Sequence, residues 1–362
     1  MSTTTTTQSE TVLRTKAESN QHPALLSPSG ALDKFKHDEL TPVIGREYVN
    51  VNLVDDVINA KNSDELIRDL AITISQRGVV FFRAQDNLTD DIQKALVQRL
   101  GELTGKPSDS TLHIHPTLNN TSEFGVDDEQ ISTISSKAFQ LFARVPKDRD
   151  DRKGGAASWH SDIQFEPYPA DYTSLRLTEL PSSGGDTLWA SGYEIYDRFS
   201  DPYQKFFEGL TATFKGEGFL KAAEANPEKV KIYEEARGNP ANAGRELTAV
   251  HPVVRTNPVT GWKSIFAIGN FPQRINELSA RESKELLSSL YKVIEENHDL
   301  QVRFKWRNKN DIAFWDNRSV FHSATNDYNN LGDRVGHRAV GIGEKPYLDP
   351  RSQSRTVALG GY

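Results

Sequence analysis

Regular alternation of apolar and polar positions begins at about Ile44. Residues 1 to about 40 are rich in Thr, Ser, Pro and charge and show neither a helical nor a strand period, which reads as a mobile N-terminal tail with one docked stretch. Asn62-Ser-Asp-Glu65 has the form of a helix start; Leu66, Leu70 and Ile74 follow at four-residue spacing, and Gly78 stands where a C-cap belongs. Val79-Val-Phe-Phe82 reads as a buried strand. Thr89 opens a second helix carrying Ile92, Leu96 and Leu100, and Gly101 is expected to end it. The stretch from about 103 to 158 is loop-like, with Gly, Pro, Ser and Asn scattered through it.

A strand period resumes at Tyr172–Leu180, where Leu175 and Leu177 alternate with Arg176 and Thr178. Pro181-Ser-Ser-Gly-Gly185 is a turn before the strand Thr187-Leu-Trp189. Further strands are expected at His251–Thr256, Ser264–Ile268, Val302–Trp306 and Ile312–Trp315. Ser191 with Glu194, and Ser279 with Glu282, have capping-box spacing, and Leu286, Leu290 and Ile294 continue the second as one apolar helix face. Short strands dominate the half that carries most of the histidines. The fold expected is mainly β with flanking helices, on a β-sandwich or jelly-roll core. Residues 41–350 would form a single domain and 351–362 a C-terminal tail.

Composition narrows the function. With 17 Phe, 11 Tyr and 5 Trp in 362 residues the chain can bury a sizeable core. A formal charge of −7 argues against a nucleic-acid or anionic-membrane surface, both of which need a basic face. The absence of cysteine removes disulfides, thiolate metal sites and a Cys nucleophile. No apolar secretory core opens the chain, and no run approaches the roughly 18 apolar residues of a membrane span. The expected location is cytoplasmic. Gly101–Lys106 is one residue short of a P-loop and is followed by Pro107; Gly216-Glu-Gly218 lacks a third glycine, and no Gly-x-Ser-x-Gly elbow exists.

The histidines remain. Residues i and i+2 of a strand share a face, so His160-Ser-Asp162, flanked by Trp159, Ile163 and Phe165, can present an imidazole and a carboxylate together. His37-Asp-Glu39 and His113-Ile-His115 share the spacing, but the first lies in the polar tail and the second at the end of a loop. Two histidines and one carboxylate can hold non-haem Fe(II) with three positions left open. His322, after the strand Ile312–Asp316, is the best second histidine. Such an iron usually draws electrons from 2-oxoglutarate, whose far carboxylate suits an arginine fork, and Arg334 is in range. Each piece alone has an ordinary structural explanation; their order and β context favour the iron site.

The longer blocks around these residues are Val79–Gln85 (VVFFRAQ), Leu112–Pro116 (LHIHP), Trp159–Phe165 (WHSDIQF), Glu179–Trp189 (ELPSSGGDTLW), His251–Thr256 (HPVVRT), Asp311–Arg318 (DIAFWDNR) and Arg334–Ala339 (RVGHRA). Over roughly residues 40–347 the chain resembles the taurine-dioxygenase-type (TauD/TfdA) family of Fe(II)- and 2-oxoglutarate-dependent dioxygenases. The resemblance implies a double-stranded β-helix, a cupin-like jelly roll, with a large insertion between Asp162 and His322. It implies that His160, Asp162 and His322 are the iron ligands and that Thr187 and Arg334 bind 2-oxoglutarate. Arg338 and His115 match residues that contact substrate in the family's taurine enzyme. Leu118 and Ala156 stand where that enzyme has a tyrosine and an asparagine, which weakens the case for taurine itself, and the segment 119–158 is longer.

The activity implied is oxidation of a C–H bond of a small anionic organic substrate, coupled to conversion of 2-oxoglutarate and O2 to succinate and CO2. A sulfonate or alkylsulfate is the leading reading, the sulfonate breaking down with release of sulfite. A biosynthetic hydroxylation, desaturation or cyclisation of an amino-acid-like substrate is the alternative. A non-catalytic jelly-roll binding protein is the third, against which the set His160, Asp162, His322 and Arg334 argues. No nucleic-acid or membrane partner is called for, and a homo-oligomer is compatible with the chain.

Overall fold

The computed structural model describes residues 25–118, 126–136, 158–328 and 331–361. Ala156 and most of 119–158 therefore lie outside the described residues, as do residues 1–24. The first strands are β1 His37–Glu39, β2 Arg46–Tyr48, β3 Val79–Phe82, β4 Ser132–Ser135, β5 Ala170–Glu179 and β6 Thr187–Ser191. Next come β7 Thr211–Lys215, β8 Thr248–Pro252, β9 Val254–Thr256, β10 Lys263–Ile265 and β11 Pro272–Ile275. The last four are β12 Gln301–Phe304, β13 Ile312–Asp316, β14 Val320–Ala324 and β15 Val335–Ile342.

A seven-stranded sheet runs β1-β2-β3-β13-β5-β15-β4, and a three-stranded sheet runs β12-β6-β14. Val79, Phe81, Leu175, Leu177, Ala313 and Trp315 from the first sheet meet Trp189, Val302, Phe304 and Val320 from the second in one buried cluster. Val80, Phe82, Ile312 and Phe314, one residue out of phase, face the other way, onto the helices Ser63–Arg77 and Asp90–Glu102. Both faces of β3 and β13 are thus covered, which is why their sequences read as unbroken apolar runs. The outer side of the small sheet, at Ala190 and Phe321, packs against β7, β9, β10 and the helix Ala280–Glu296.

Local signals held well. Gly78 caps the first helix with φ 75°, Thr89 and Ser191 cap theirs, and Ser279 and Glu282 form a reciprocal capping box. Gly101 does not end the second helix, which continues to Glu102. It is glycine because a Cβ there would collide with Asp171 and Lys106. The expected strand His251–Thr256 breaks at Val253 into β8 and β9, which belong to different sheets. The strand expected at Ser264–Ile268 is only Lys263–Ile265. The loop-like region contains β4, a polar strand completed by pairing with β15.

The chain ends are docked where described. Backbone N–H groups of Ser29, Gly30 and Ala31 donate to the Asp69 carboxylate, and β1 pairs with β2. At the other end Arg355 pairs with Glu194 at 2.8 Å, and the hydroxyl of Thr356 donates to Asp197. Among the described residues no helix is long and apolar enough to cross a membrane.

One buried histidine gives the fold a pH dependence. His251 donates through Nε2 to the carbonyls of Gln164 and Glu166, both at 3.0 Å, between the rings of Phe214 and Phe266. Burial, helped by Arg255, pushes its pKa down to about 3 from 6.5. The unfolded chain therefore binds the extra proton first, and stability declines as the pH falls from about 6.5 toward 3. At pH 5 this one group is expected to cost about 2 kcal/mol. Thermal unfolding between pH 7 and pH 5 reads the slope, and His251→Gln should flatten it. An unchanged slope would refute the assignment.

Candidate active site

The site begins with a cross-strand pair. His322 lies on β14, and His160 forms an isolated antiparallel bridge with it. The two residues exchange both backbone hydrogen bonds, His160 N to His322 O at 3.1 Å and the reverse at 2.8 Å. Direct cross-strand neighbours place their side chains together, and the imidazole centroids are 4.3 Å apart. His160 is thus not in the continuous strand expected of it; the chain turns immediately afterwards. Asp162 projects from the start of that turn, and Ile163 takes φ 48°, an unusual value for a β-branched residue. Gly269 (φ 108°) lies so close to Trp159 and His160 that any Cβ there would strike their backbone. The result is a cluster in which one ligand atom each from His160, Asp162 and His322 lie within 4.8 Å of one another.

The protonation states suit a cation. Nδ1 of His160 can only donate to the Ser158 carbonyl at 2.8 Å, which leaves Nε2 as a lone pair. Burial, reinforced by His160, pushes His322 down to about 3, so it is neutral. Burial opposes ionisation of Asp162, but the Arg338 guanidinium beside it favours the charged form and its pKa is lowered. Two neutral imidazoles and an ionised carboxylate therefore converge. Asp162 Oδ2 and His322 Nδ1 are buried without a hydrogen-bond partner, which is rare for buried polar atoms. This donor set fits the facial ligation of a divalent iron.

Behind the cluster, Arg334 is buried and has no acidic partner within ion-pair distance among the described residues. Its Nε donates to the Gly185 carbonyl at 2.9 Å and its Nη2 to Thr187 Oγ1 at 3.2 Å. Thr187 Oγ1 also accepts from Trp306 Nε1 at 3.1 Å. Both lone pairs of that hydroxyl are engaged, so its own proton is left to donate. Arg338 lies on β15, an even number of residues from Arg334, and both are buried. Its Nη1 donates to Asp162 Oδ1 at 2.6 Å, while its Nε is buried without a hydrogen bond.

His115 accepts the backbone N–H groups of Thr117 (3.1 Å) and Leu118 (2.9 Å) at Nδ1 and packs edge-on against Phe219. Burial, with Arg338 adding, holds its pKa well below the usual value. Leu118 is half-buried beside it.

The sequence reading missed two features. Phe271 lies edge-on to His160 at 6.2 Å and meets Phe165 and Phe219, which makes an aromatic wall beside the imidazoles. No spacing signal marks Phe219 or Phe271, because each comes from a different part of the insertion. The second is a buried pair: Arg237 grips Glu166 through Nε (2.5 Å) and Nη2 (2.9 Å), with His113 at 3.4 Å. It fastens the irregular segment 226–247 to the turn that follows Asp162.

The family model described as taurine catabolism dioxygenase TauD, TfdA family matches residues 36–340. The chain belongs to that family. The alpha-ketoglutarate-dependent dioxygenase esdpJ of Penicillium shearii is 46% identical, over 92% of this chain and 96% of its own length. The alpha-ketoglutarate-dependent sulfonate dioxygenase of Saccharomyces cerevisiae is 33% identical, over 87% of this chain and 69% of its own. A taurine dioxygenase from Burkholderia xenovorans superposes with a TM-score of 0.61 at 24% identity, covering 88% of this chain and 92% of that one. The two facing sheets are accordingly the jelly roll of TauD-type dioxygenases, and the protein is a non-haem iron enzyme that uses Fe(II), 2-oxoglutarate and O2.

Proposed function

We propose that this TauD/TfdA dioxygenase oxidises a C–H bond of a small organic anion whose charged group is read by Arg338. The observation that carries the reading is a buried guanidinium beside Asp162 with one edge spent on that carboxylate and its Nε still without a hydrogen bond. His160, Asp162 and His322 would hold the iron. Fe(II), when bound with 2-oxoglutarate and O2, would supply the oxidant for the substrate C–H bond. Arg334 would pair with the distal carboxylate of 2-oxoglutarate, and the Thr187 hydroxyl, whose lone pairs are engaged, would donate to it.

Charge balance supports an anionic substrate. With iron and 2-oxoglutarate bound, two guanidiniums and a divalent cation would be set against the Asp162 carboxylate and the two carboxylates of 2-oxoglutarate, which would leave positive charge over. In an acidic chain this local excess is what attracts an anion. The Phe165–Phe219–Phe271 wall would hold the substrate's carbon body and keep water out, while His115 closes the side near Arg338. With Leu118 half-buried and apolar, a buried substrate amine would lack a partner there, which speaks against taurine.

The first reading of the anion is a sulfonate, in line with the name of the 33% identical yeast relative, or an alkylsulfate. Hydroxylation of a sulfonate next to sulfur would release sulfite, and hydroxylation of an alkylsulfate next to the ester oxygen would release sulfate. The second is an amino-acid-like carboxylate. The stronger likeness to esdpJ, whose name specifies the cosubstrate alone, leaves this second reading open. Succinate release across sulfonates, alkylsulfates and amino acids tests the two. Arg338→Ala, assayed at saturating iron, should raise the substrate KM roughly ten- to hundredfold, the loss of a charge-assisted bond of about 1.5–3 kcal/mol. Its requirement for 2-oxoglutarate should change little. A neutral compound turned over as well as any anion, by wild type and variant alike, would sink the proposal.

A further inference from the structure

Asp162 leaves the sheet in a turn and so lacks the ladder that would normally fix its backbone. Its N–H donates instead to the side chain of Asn317, Oδ1, at 3.0 Å. Asn317 sits between β13 and β14 and is only 1% exposed. The same Oδ1 accepts from Trp315 Nε1 at 3.1 Å and lies 3.4 Å from Ser161 Oγ. The Trp315 ring in turn packs on His322, centroids 4.9 Å apart. On the other side Asn317 Nδ2 donates to Thr173 Oγ1 at 2.7 Å and to the Asp171 carbonyl at 3.3 Å. The Asn317 backbone N–H reaches that same carbonyl at 2.8 Å, and its own carbonyl accepts from Ser161 Oγ at 2.7 Å.

One carboxamide therefore connects three things that the sequence keeps apart. It holds the Asp162 arm, it sets the ring behind His322, and it is itself fixed to β5, a central strand of the seven-stranded sheet. We infer that Asn317 is a positioning residue that sets the carboxylate arm and the distal histidine relative to one another, so that the three donors are arranged before any metal arrives. The inference rests on the assignment of Asp162 and His322 as ligands. Its physical basis is that an oriented outer shell raises metal affinity, typically ten- to hundredfold per partner. Without the carboxamide, the Asp162 N–H and the Trp315 Nε1–H would be buried donors without acceptors.

The test is a Mn(II) titration of the full chain, followed by tryptophan fluorescence, alongside thermal unfolding. Asn317→Ala should weaken Mn(II) binding roughly ten- to hundredfold. It should also raise the fraction of 2-oxoglutarate consumed without product. Asn317→Asp keeps the size and the oxygen that accepts from Asp162 and Trp315 but loses both donations to β5, so it should recover only part of the affinity. Gln85→Ala removes a buried carboxamide with three backbone partners far from the site, so it should lower stability without weakening Mn(II) binding.

Wild-type affinity in Asn317→Ala would overturn the inference. So would an equal loss of affinity in Gln85→Ala, which would mean that metal binding follows stability alone. If Asn317→Ala does not fold, the Asp variant decides: Mn(II) binding weaker than wild type, with Gln85→Ala unaffected, supports the inference, and wild-type affinity overturns it. Asp162→Ala distinguishes this from the reading beneath it, since Mn(II) binding lost there but kept in Asn317→Ala leaves the ligands standing and removes only the positioning role.

Discussion

His160→Ala and His322→Ala are expected to abolish product formation and coupled 2-oxoglutarate decay while leaving a folded protein. Each removes a neutral imidazole that lies against the other across one strand pair. Neither imidazole balances a buried charge, so its loss costs packing and little else. Asp162→Ala should be equally inactive but less stable. Arg338 would lose its carboxylate partner, and breaking a buried ion pair from one side costs about 3–5 kcal/mol. Asp162→Asn, which keeps the size, gives a milder version. Circular dichroism and thermal unfolding report folding, and succinate release reports activity. Parental turnover in any folded member of the set would show the metal assignment to be wrong.

Arg334→Ala should have the second largest effect, with an opposite signature in stability. The buried guanidinium is held by the Gly185 carbonyl and the Thr187 hydroxyl, both neutral. Its loss should weaken the use of 2-oxoglutarate roughly ten- to hundredfold, at about 1.5–3 kcal/mol for a charge-assisted bond. Turnover at saturating cosubstrate should be largely kept. Because burial lowers its pKa and Tyr328 and Asp186 offset this only in part, removing it should leave the melting temperature unchanged or higher. Arg334→Lys, a point charge without the fork, should fall between the two. Equal 2-oxoglutarate dependence in wild type and alanine variant would reopen the assignment.

What could be read in the sequence was whatever is decided within a few residues. Gly78, Thr89, Ser191 and the Ser279–Glu282 box act on their own helix ends, and their signals are written beside the helices they cap. Gly101 misled because its reason is Asp171, far along the chain, against which the helix packs. Residues 132–135 look like loop because two of the four are serine, and the strand exists only by virtue of β15. The site divides in the same way. His160 and Asp162 announce themselves by spacing, and His322, Thr187, Arg334 and Arg338 by the blocks around them. That Arg338 also neutralises Asp162, that His160 and His322 are cross-strand partners, and that Phe219 and Phe271 flank them are facts of tertiary contact. No local pattern encodes them.

The site's groups are shared between two sheets. Thr187 and His322 belong to the three-stranded sheet, while Arg338 lies on the edge-side strand β15 of the larger one, with Arg334 just before it. Iron and 2-oxoglutarate bound to those groups would therefore act as a cross-brace between two layers whose shared core is apolar. A ligand at a hundred times its dissociation constant adds about 2.7 kcal/mol to the stability of the state that binds it. In this arrangement the gain would fall on the separation of β14 from β15 rather than on the helices behind the large sheet. The filled enzyme would open less often along that seam, so chains lacking iron would be the ones that proteases find first.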